Sequence, residues 1–271
     1  MNTSTVKAFD GTDIFVTKDT VQNPQAVLVI VHGLAEYAGR YDYVTRKFNE
    51  NEISVYRFDL RGHGRSGGPR GNNDDPDKFL KDTDLIVDMA LKENQGKPVF
   101  MLGHSMGGLI AAGYGEAHGD VLKGMILTGA ALNFLPGLAE LGKIYTEAMG
   151  DQVSPNSLSA AICRDPEVVK AYDEDPLVLK GTTLRLLYTT FIQGIERLHQ
   201  NIQKFQIPCL ILHGGNDLLV PNSAAQWFHD HIPSRDKTVK IYPECYHEIL
   251  NEKEEKDVVI ADIVGWIDLK R

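Results

Sequence analysis

The sequence predicts an α/β fold: a mostly parallel central sheet with helices on both faces and a mainly helical insertion late in the chain. Three observations carry this expectation. Short apolar runs alternate with stretches of helical periodicity, which is the pattern of strand–helix–strand units. Most of those runs are continuously apolar, as strands buried on both faces must be. The third is a surplus of chain between two late landmarks, described below.

Taken in order, residues 6–9 and 14–16 flank Asp10-Gly11 and read as a hairpin. Strand signals follow at 26–31, 53–58, 98–102, 124–128, 208–213 and 238–242, and Ala26-Val27-Leu28-Val29-Ile30-Val31 is the strongest. Between them, Tyr41, Val44 and Phe48 fall at helical spacing, and residues 77–94 read as a long helix. Residues 258–269 read as a last helix with Ile260, Ile263, Val264 and Ile267 on one face. There is no internal repeat and no low-complexity tract.

The stretch Gly103-His104-Ser105-Met106-Gly107 lies between a strand signal and the helix-like run Gly108-Leu109-Ile110-Ala111-Ala112. In that context it reads as a nucleophile elbow. A strained turn needs neighbours without a Cβ so that the helix can pack against the strand it left. The strain lifts the serine hydroxyl clear of the sheet, at a helix N-terminus where free N–H groups stabilise negative charge.

A serine nucleophile needs a base and a group to orient that base. In an open parallel sheet, functional groups gather at the carboxyl ends of strands. Asp217 follows the strand signal at 208–213, and His247 follows the next one at 238–242. The order Ser105, Asp217, His247 is that of a serine-hydrolase triad on a doubly wound sheet. His247 is expected to act as general base and then general acid, and Asp217 to hold its tautomer. The expected oxyanion donors are the backbone N–H groups of Leu34, after the strand at 26–31, and Met106, after the nucleophile.

The other histidines fit less well. His229 and His231 are two apart on a helix-like stretch and point in different directions, a poor zinc pair. His32, His63 and His104 flank glycines and are expected to shape their loops, while His118, His199 and His213 have no motif context. No metal-ligand cluster is visible, so neither metal nor cofactor is expected.

Three segments carry a family resemblance. His32-Gly33-Leu34-Ala35-Glu36-Tyr37-Ala38-Gly39-Arg40-Tyr41, Asp59-Leu60-Arg61-Gly62-His63-Gly64-Arg65-Ser66-Gly67-Gly68 and the elbow at Gly103-His104-Ser105-Met106-Gly107-Gly108 resemble α/β-hydrolases of the monoacylglycerol lipase and lysophospholipase group, also called serine aminopeptidase-like. Tyr37 stands where that family usually has histidine. The resemblance runs over nearly the whole chain and is weakest at about 130–200, where such families place a substrate-selecting cap. It implies a serine carboxylic ester hydrolase acting through an acyl-enzyme on monoacylglycerol or lysophospholipid-like esters. Short-chain, feruloyl-type and thioester hydrolysis on the same triad stay open. From another class, so does a catalytically silent ligand-binding protein on the same fold. Epoxide hydrolase and dehalogenase readings fit poorly, because those relatives carry aspartate at the elbow. Glu36, Arg40, Asp59 and Arg61 are expected to tie the loops together.

Ser105 and Asp217 are 112 positions apart, against 30 from Asp217 to His247, while one crossover unit needs only about 30 residues. The surplus is read as a cap at 131–200 inserted into a core of 1–130 and 201–271. Phe134, Leu135, Leu138, Leu141, Ile144, Tyr145 and Met149 form one apolar set in it, and Leu184, Leu186, Leu187, Tyr188, Phe191 and Ile192 another. Some of these are expected to line an acyl pocket. A net charge of −9 over 271 residues argues against nucleic acid or anionic membrane as the main partner. The expected partner is a small acyl ester, with transient lipid-interface contact through the cap left open and no signal for oligomeric state. Cys163, Cys209 and Cys245 are odd in number and unpaired in spacing, which suggests reduced thiols. The opening residues lack a secretory pattern, so a cytoplasmic protein is expected.

Overall fold

The computed structural model describes all 271 residues. Its strands are β1 (Asn2–Lys7), β2 (Asp13–Asp19), β3 (Ala26–Val31), β4 (Ile53–Phe58), β5 (Val99–His104), β6 (Gly124–Thr128), β7 (Val153–Pro155), β8 (Gly181–Thr183), β9 (Cys209–Gly214) and β10 (Lys237–Tyr242). Eight of them form one sheet in the order β1-β2-β4-β3-β5-β6-β9-β10. The β1–β2 and β2–β4 pairs are antiparallel, and every other pair in that sheet is parallel.

The helices are α1 (Asp42–Glu50), α2 (Pro76–Glu93), α3 (Met106–His118), α4 (Ala139–Ile144), α5 (Ser159–Ile162), α6 (Pro166–Glu174), α7 (Leu184–Tyr188), α8 (Gly194–Asn201), α9 (Ser223–His231) and α10 (Lys256–Asp268). A π-helical turn, Thr189–Gln193, joins α7 to α8. Capping explains where α2 begins: the Asp75 carboxylate accepts the Asp77 N–H, and Pro76 occupies the first turn, where no N–H is needed.

The central strands are apolar throughout because each face of the sheet is covered. Along β3, Val27, Val29 and Val31 enter a core with α2, α3 and α8. Ala26, Leu28 and Ile30 enter the opposite core with α1 and α10. Burying one such aliphatic side chain contributes roughly 1.5–3 kcal/mol before the entropy of ordering it is subtracted.

The hairpin differs from its sequence expectation. Its first strand runs from Asn2 to Lys7, where residues 6–9 were expected, and it is mostly exposed. As an edge strand paired only with β2, it is held by backbone hydrogen bonds and leaves no apolar trace in the sequence.

Chain order reverses at β3, which is flanked by β4 on one side and β5 on the other. A crevice opens at the carboxyl ends of strands where the order reverses, and this is where α/β sheets bind ligands. The segments leaving β3 and β5 begin with His32-Gly33-Leu34 and Ser105. Between β6 and β9 the chain carries α4 to α8, the π turn and the small antiparallel ribbon β7–β8. The ribbon is one feature of this stretch that the sequence did not signal. All three cysteines are buried free thiols, and no helix is long and apolar enough to cross a membrane.

Candidate active site

Ser105 sits between β5 and α3 with φ 54° and ψ −119°, a conformation that disfavours any residue with a Cβ. Close packing on both sides holds it there. A Cβ on Gly107 would lie 2.2 Å from the Val31 carbonyl oxygen, and one on Gly103 would lie 2.5 Å from that of Gly107. The two glycines thus let α3 start directly against β3 and β5.

The loop after β9 delivers Asp217 and the loop after β10 delivers His247. Asp217 Oδ2 accepts a 2.7 Å hydrogen bond from His247 Nδ1. Its Oδ1 accepts the Leu219 and Val220 N–H groups, both at 2.9 Å. His213 Nε2 lies 3.0 Å from Asp217 Oδ2 and 3.0 Å from the Val220 carbonyl oxygen. Both neighbours are acceptors, so the proton sits on Nε2, and the buried Nδ1 is left without a partner. His213 has no motif context in the sequence; its one signal is its place at a strand end, four residues before Asp217.

The electrostatics follow from this packing. Burial opposes the Asp217 charge, but the His247 and His213 imidazoles outweigh it and hold the carboxyl well below its usual range. Burial likewise opposes a charged His247, yet the Asp217 charge and hydrogen bond, with Glu248 and Glu36 adding, raise its basicity above the ordinary imidazole value. His104 packs beside it with ring centroids 4.8 Å apart. Burial and the neighbouring His247 push His104 down to about 4, so it stays neutral and packs.

Both expected oxyanion donors are available. The Leu34 N–H makes no hydrogen bond within the chain, and Met106 is the first residue of α3, whose N–H has no helical acceptor of its own. Next to Leu34, the Gly33 N–H is taken at 2.6 Å by Glu36 Oε1.

The loop-shaping residues behave as the sequence suggested. His32 Nε2 accepts the Leu60 N–H at 2.8 Å. Asp59 accepts the N–H groups of Ala38 and Arg65, and Arg61 pairs with Asp82 and Asp10. Burial pushes His63 down to about 3.

Gly33, Leu34, Ser105, Asp217 and His247 line one cavity of about 550 Å³. Of the two expected apolar sets, Leu135, Leu138, Leu187 and Phe191 reach its wall, joined by Leu158, Ile162, Leu219 and Val220. Phe134 and Ile144 face outward and are exposed, and Tyr145 stacks on Tyr188 at 4.0 Å. A polar stretch made by Ser154, Asn156, Ser157 and Thr182 adds to the lining, as do Glu36, His104, Tyr172 and Glu248.

Comparison with known proteins identifies the family. Residues 22–254 match the family described as serine aminopeptidase, S33. The chain is 36% identical over 256 residues to a monoacylglycerol lipase from Mycolicibacterium smegmatis, covering 93% of this chain and 90% of that protein. It is 31% identical over 250 residues to a monoglyceride lipase from Homo sapiens, covering 90% and 82%. A crystal structure of a soluble variant of the Saccharomyces cerevisiae monoglyceride lipase, in complex with a substrate analogue, superposes with a TM-score of 0.90 at 25% identity, covering 98% of this chain and 94% of that one. The chain is a member of the serine aminopeptidase S33 family, built on the α/β-hydrolase fold.

Proposed function

We propose that this chain hydrolyses carboxylic esters that join an apolar acyl chain to a small polar alcohol, as in monoacylglycerols and lysophospholipid-like esters, through an acyl-enzyme on Ser105. Ser105 Oγ attacks the ester carbonyl while His247 Nε2 takes its proton. Asp217 fixes the tautomer by accepting from Nδ1 and stabilises the imidazolium. The Leu34 and Met106 N–H groups hold the oxyanion. The imidazolium then protonates the leaving alcohol, and water activated by His247 releases the acid. The segment 131–200 acts as the cap that selects the acyl chain.

The observation that carries this reading is the serine strained into the left-handed region, in the same cavity as an imidazole tied to a buried carboxylate. The apolar wall supports the acyl preference, and the monoacylglycerol and monoglyceride lipases among its relatives support the alcohol.

The test is turnover of p-nitrophenyl esters from acetate to palmitate and of a 1-monoacylglycerol. The Ser105→Ala variant is expected to lose roughly 10⁶-fold in kcat, with the wild type fastest on medium or long chains. A fluorophosphonate should label the wild type and not the variant. A maximum at acetate would point instead to a short-chain esterase. Equal wild-type and variant rates, or an unlabelled wild type, would exclude the serine mechanism.

A further inference from the structure

A buried ion cluster joins the two loops whose spacing the reaction depends on. Glu36, in the loop after β3, holds the Gly33 N–H at 2.6 Å and the Tyr41 hydroxyl at 2.9 Å on its Oε1. Its Oε2 accepts Arg40 Nη1 at 2.9 Å. Arg40 also forks onto Glu248, the residue after His247, through Nη1–Oε1 at 2.5 Å and Nη2–Oε2 at 2.7 Å. Glu248 is fixed further by Asn251 Nδ2 at 2.8 Å, and its own N–H is held at 2.7 Å by the Ile162 carbonyl. The Arg40 guanidinium lies 4.8 Å from the centre of the Tyr172 ring. Both carboxylate side chains are about 5% exposed and that of Arg40 is 10% exposed.

We propose that Arg40 and Glu248 are positioning residues: the bidentate pair clamps the turn bearing the Leu34 N–H to the loop bearing His247, setting oxyanion donor and base at a fixed separation. This rests on the hydrolase reading above. Neither side chain needs to touch the reacting atoms. A planar fork is the device suited to the task, because two parallel charge-assisted bonds fix orientation as well as distance. Two carboxylates on one guanidinium also leave the cluster with one negative charge. The charged or titratable groups facing His247 are then Asp217 from the loop after β9, His104 from β5, Glu36 and Arg40 from the loop after β3, and Glu248 beside it. Glu36 and Glu248 both favour the imidazolium, the species formed when Ser105 gives up its proton.

The two partners therefore make opposite predictions. Glu248→Gln keeps the shape and removes the surplus negative charge. Glu248 is part of the cavity wall, so kcat should fall about tenfold or more and by a larger factor than KM changes. The acid limb of kcat against pH should move down by roughly one unit. Arg40→Gln leaves two unpaired carboxylates near His247, so kcat should fall similarly while the acid limb moves up. Arg40→Lys, which keeps the charge and loses the fork, should leave the limb near the wild-type position and recover only part of kcat. Titration of the His247 imidazole by NMR checks that the limb belongs to it. Limbs unmoved in both Gln variants, or moved in the same direction, would overturn the clamp. Activity retained in Ser105→Ala would overturn the hydrolase reading beneath it, so the two failures are distinguishable.

Discussion

His213, on β9, and His247, in the loop after β10, approach the same oxygen of Asp217 at 3.0 and 2.7 Å. With Leu219 and Val220 on the other oxygen, the carboxylate is surrounded by donors and has little freedom to turn. Removing one donor to a charged acceptor costs about 1.5–3 kcal/mol, which corresponds to roughly ten- to hundredfold in rate when it misplaces the base. His213→Ala is therefore expected to lower kcat by that factor and leave KM almost unchanged, since the ring is not part of the cavity wall. Steady-state kinetics on one ester checks it, and an equal rise in KM would count against the assignment. On the proposed mechanism the working base is neutral His247, whose basicity is raised. Activity should therefore decline, as pH falls, through a midpoint above the usual imidazole value of 6.5.

Among the elements, β3 and β5 with the α3 elbow were readable because their burial on both faces and their glycines leave direct marks in the sequence. Ser105 was marked by its glycines, and strand ends pointed to Asp217 and His247, which the fold brings into contact. The stretch between β6 and β9 was not readable in detail. Its elements are as short as three residues, as in β7 and β8, too short to show a period. The π turn at Thr189–Gln193 shifts the helical phase within a continuous helical run, so spacing alone could not tell which of its apolar residues face the substrate. Glu248 and His213 escaped for a different reason: each acquires its role from a partner at least four residues distant, and for Glu248 that partner, Arg40, is 208 residues away. At the elbow the structure gives a sharper expectation. Gly107→Ala forces α3 away from β3, because the new methyl would sit 2.2 Å from the Val31 carbonyl oxygen and 2.4 Å from that of His32. Overpacking of this kind costs about 1–3 kcal/mol, so the denaturation midpoint should fall together with kcat.

For the molecule as a whole, the buried histidines set the response to acid. Burial pushes His63 and His104 from the ordinary imidazole value of 6.5 down to about 3 and about 4 in the fold. Below 6.5 the unfolded chain thus takes up protons that the folded one refuses, and stability falls. The lowered carboxyls of Asp217 and Glu248 add to that loss below the ordinary carboxylate range, while Glu116, which burial pushes up to about 8, offsets part of it above that range. A melting temperature that drops steadily from about pH 6.5 downward is the expected result, and a flat profile to pH 4 would contradict it. The backbone of Ser105 has a separate consequence. A hydroxyl-bearing residue at φ 54° is tolerated for what it does, at a standing cost of about 1–3 kcal/mol, and glycine would remove that cost. The inactive Ser105→Gly chain should then outlast the working enzyme on heating. Any lineage released from selection for turnover could drift toward greater robustness by losing its chemistry, leaving a sturdy pocket that only binds.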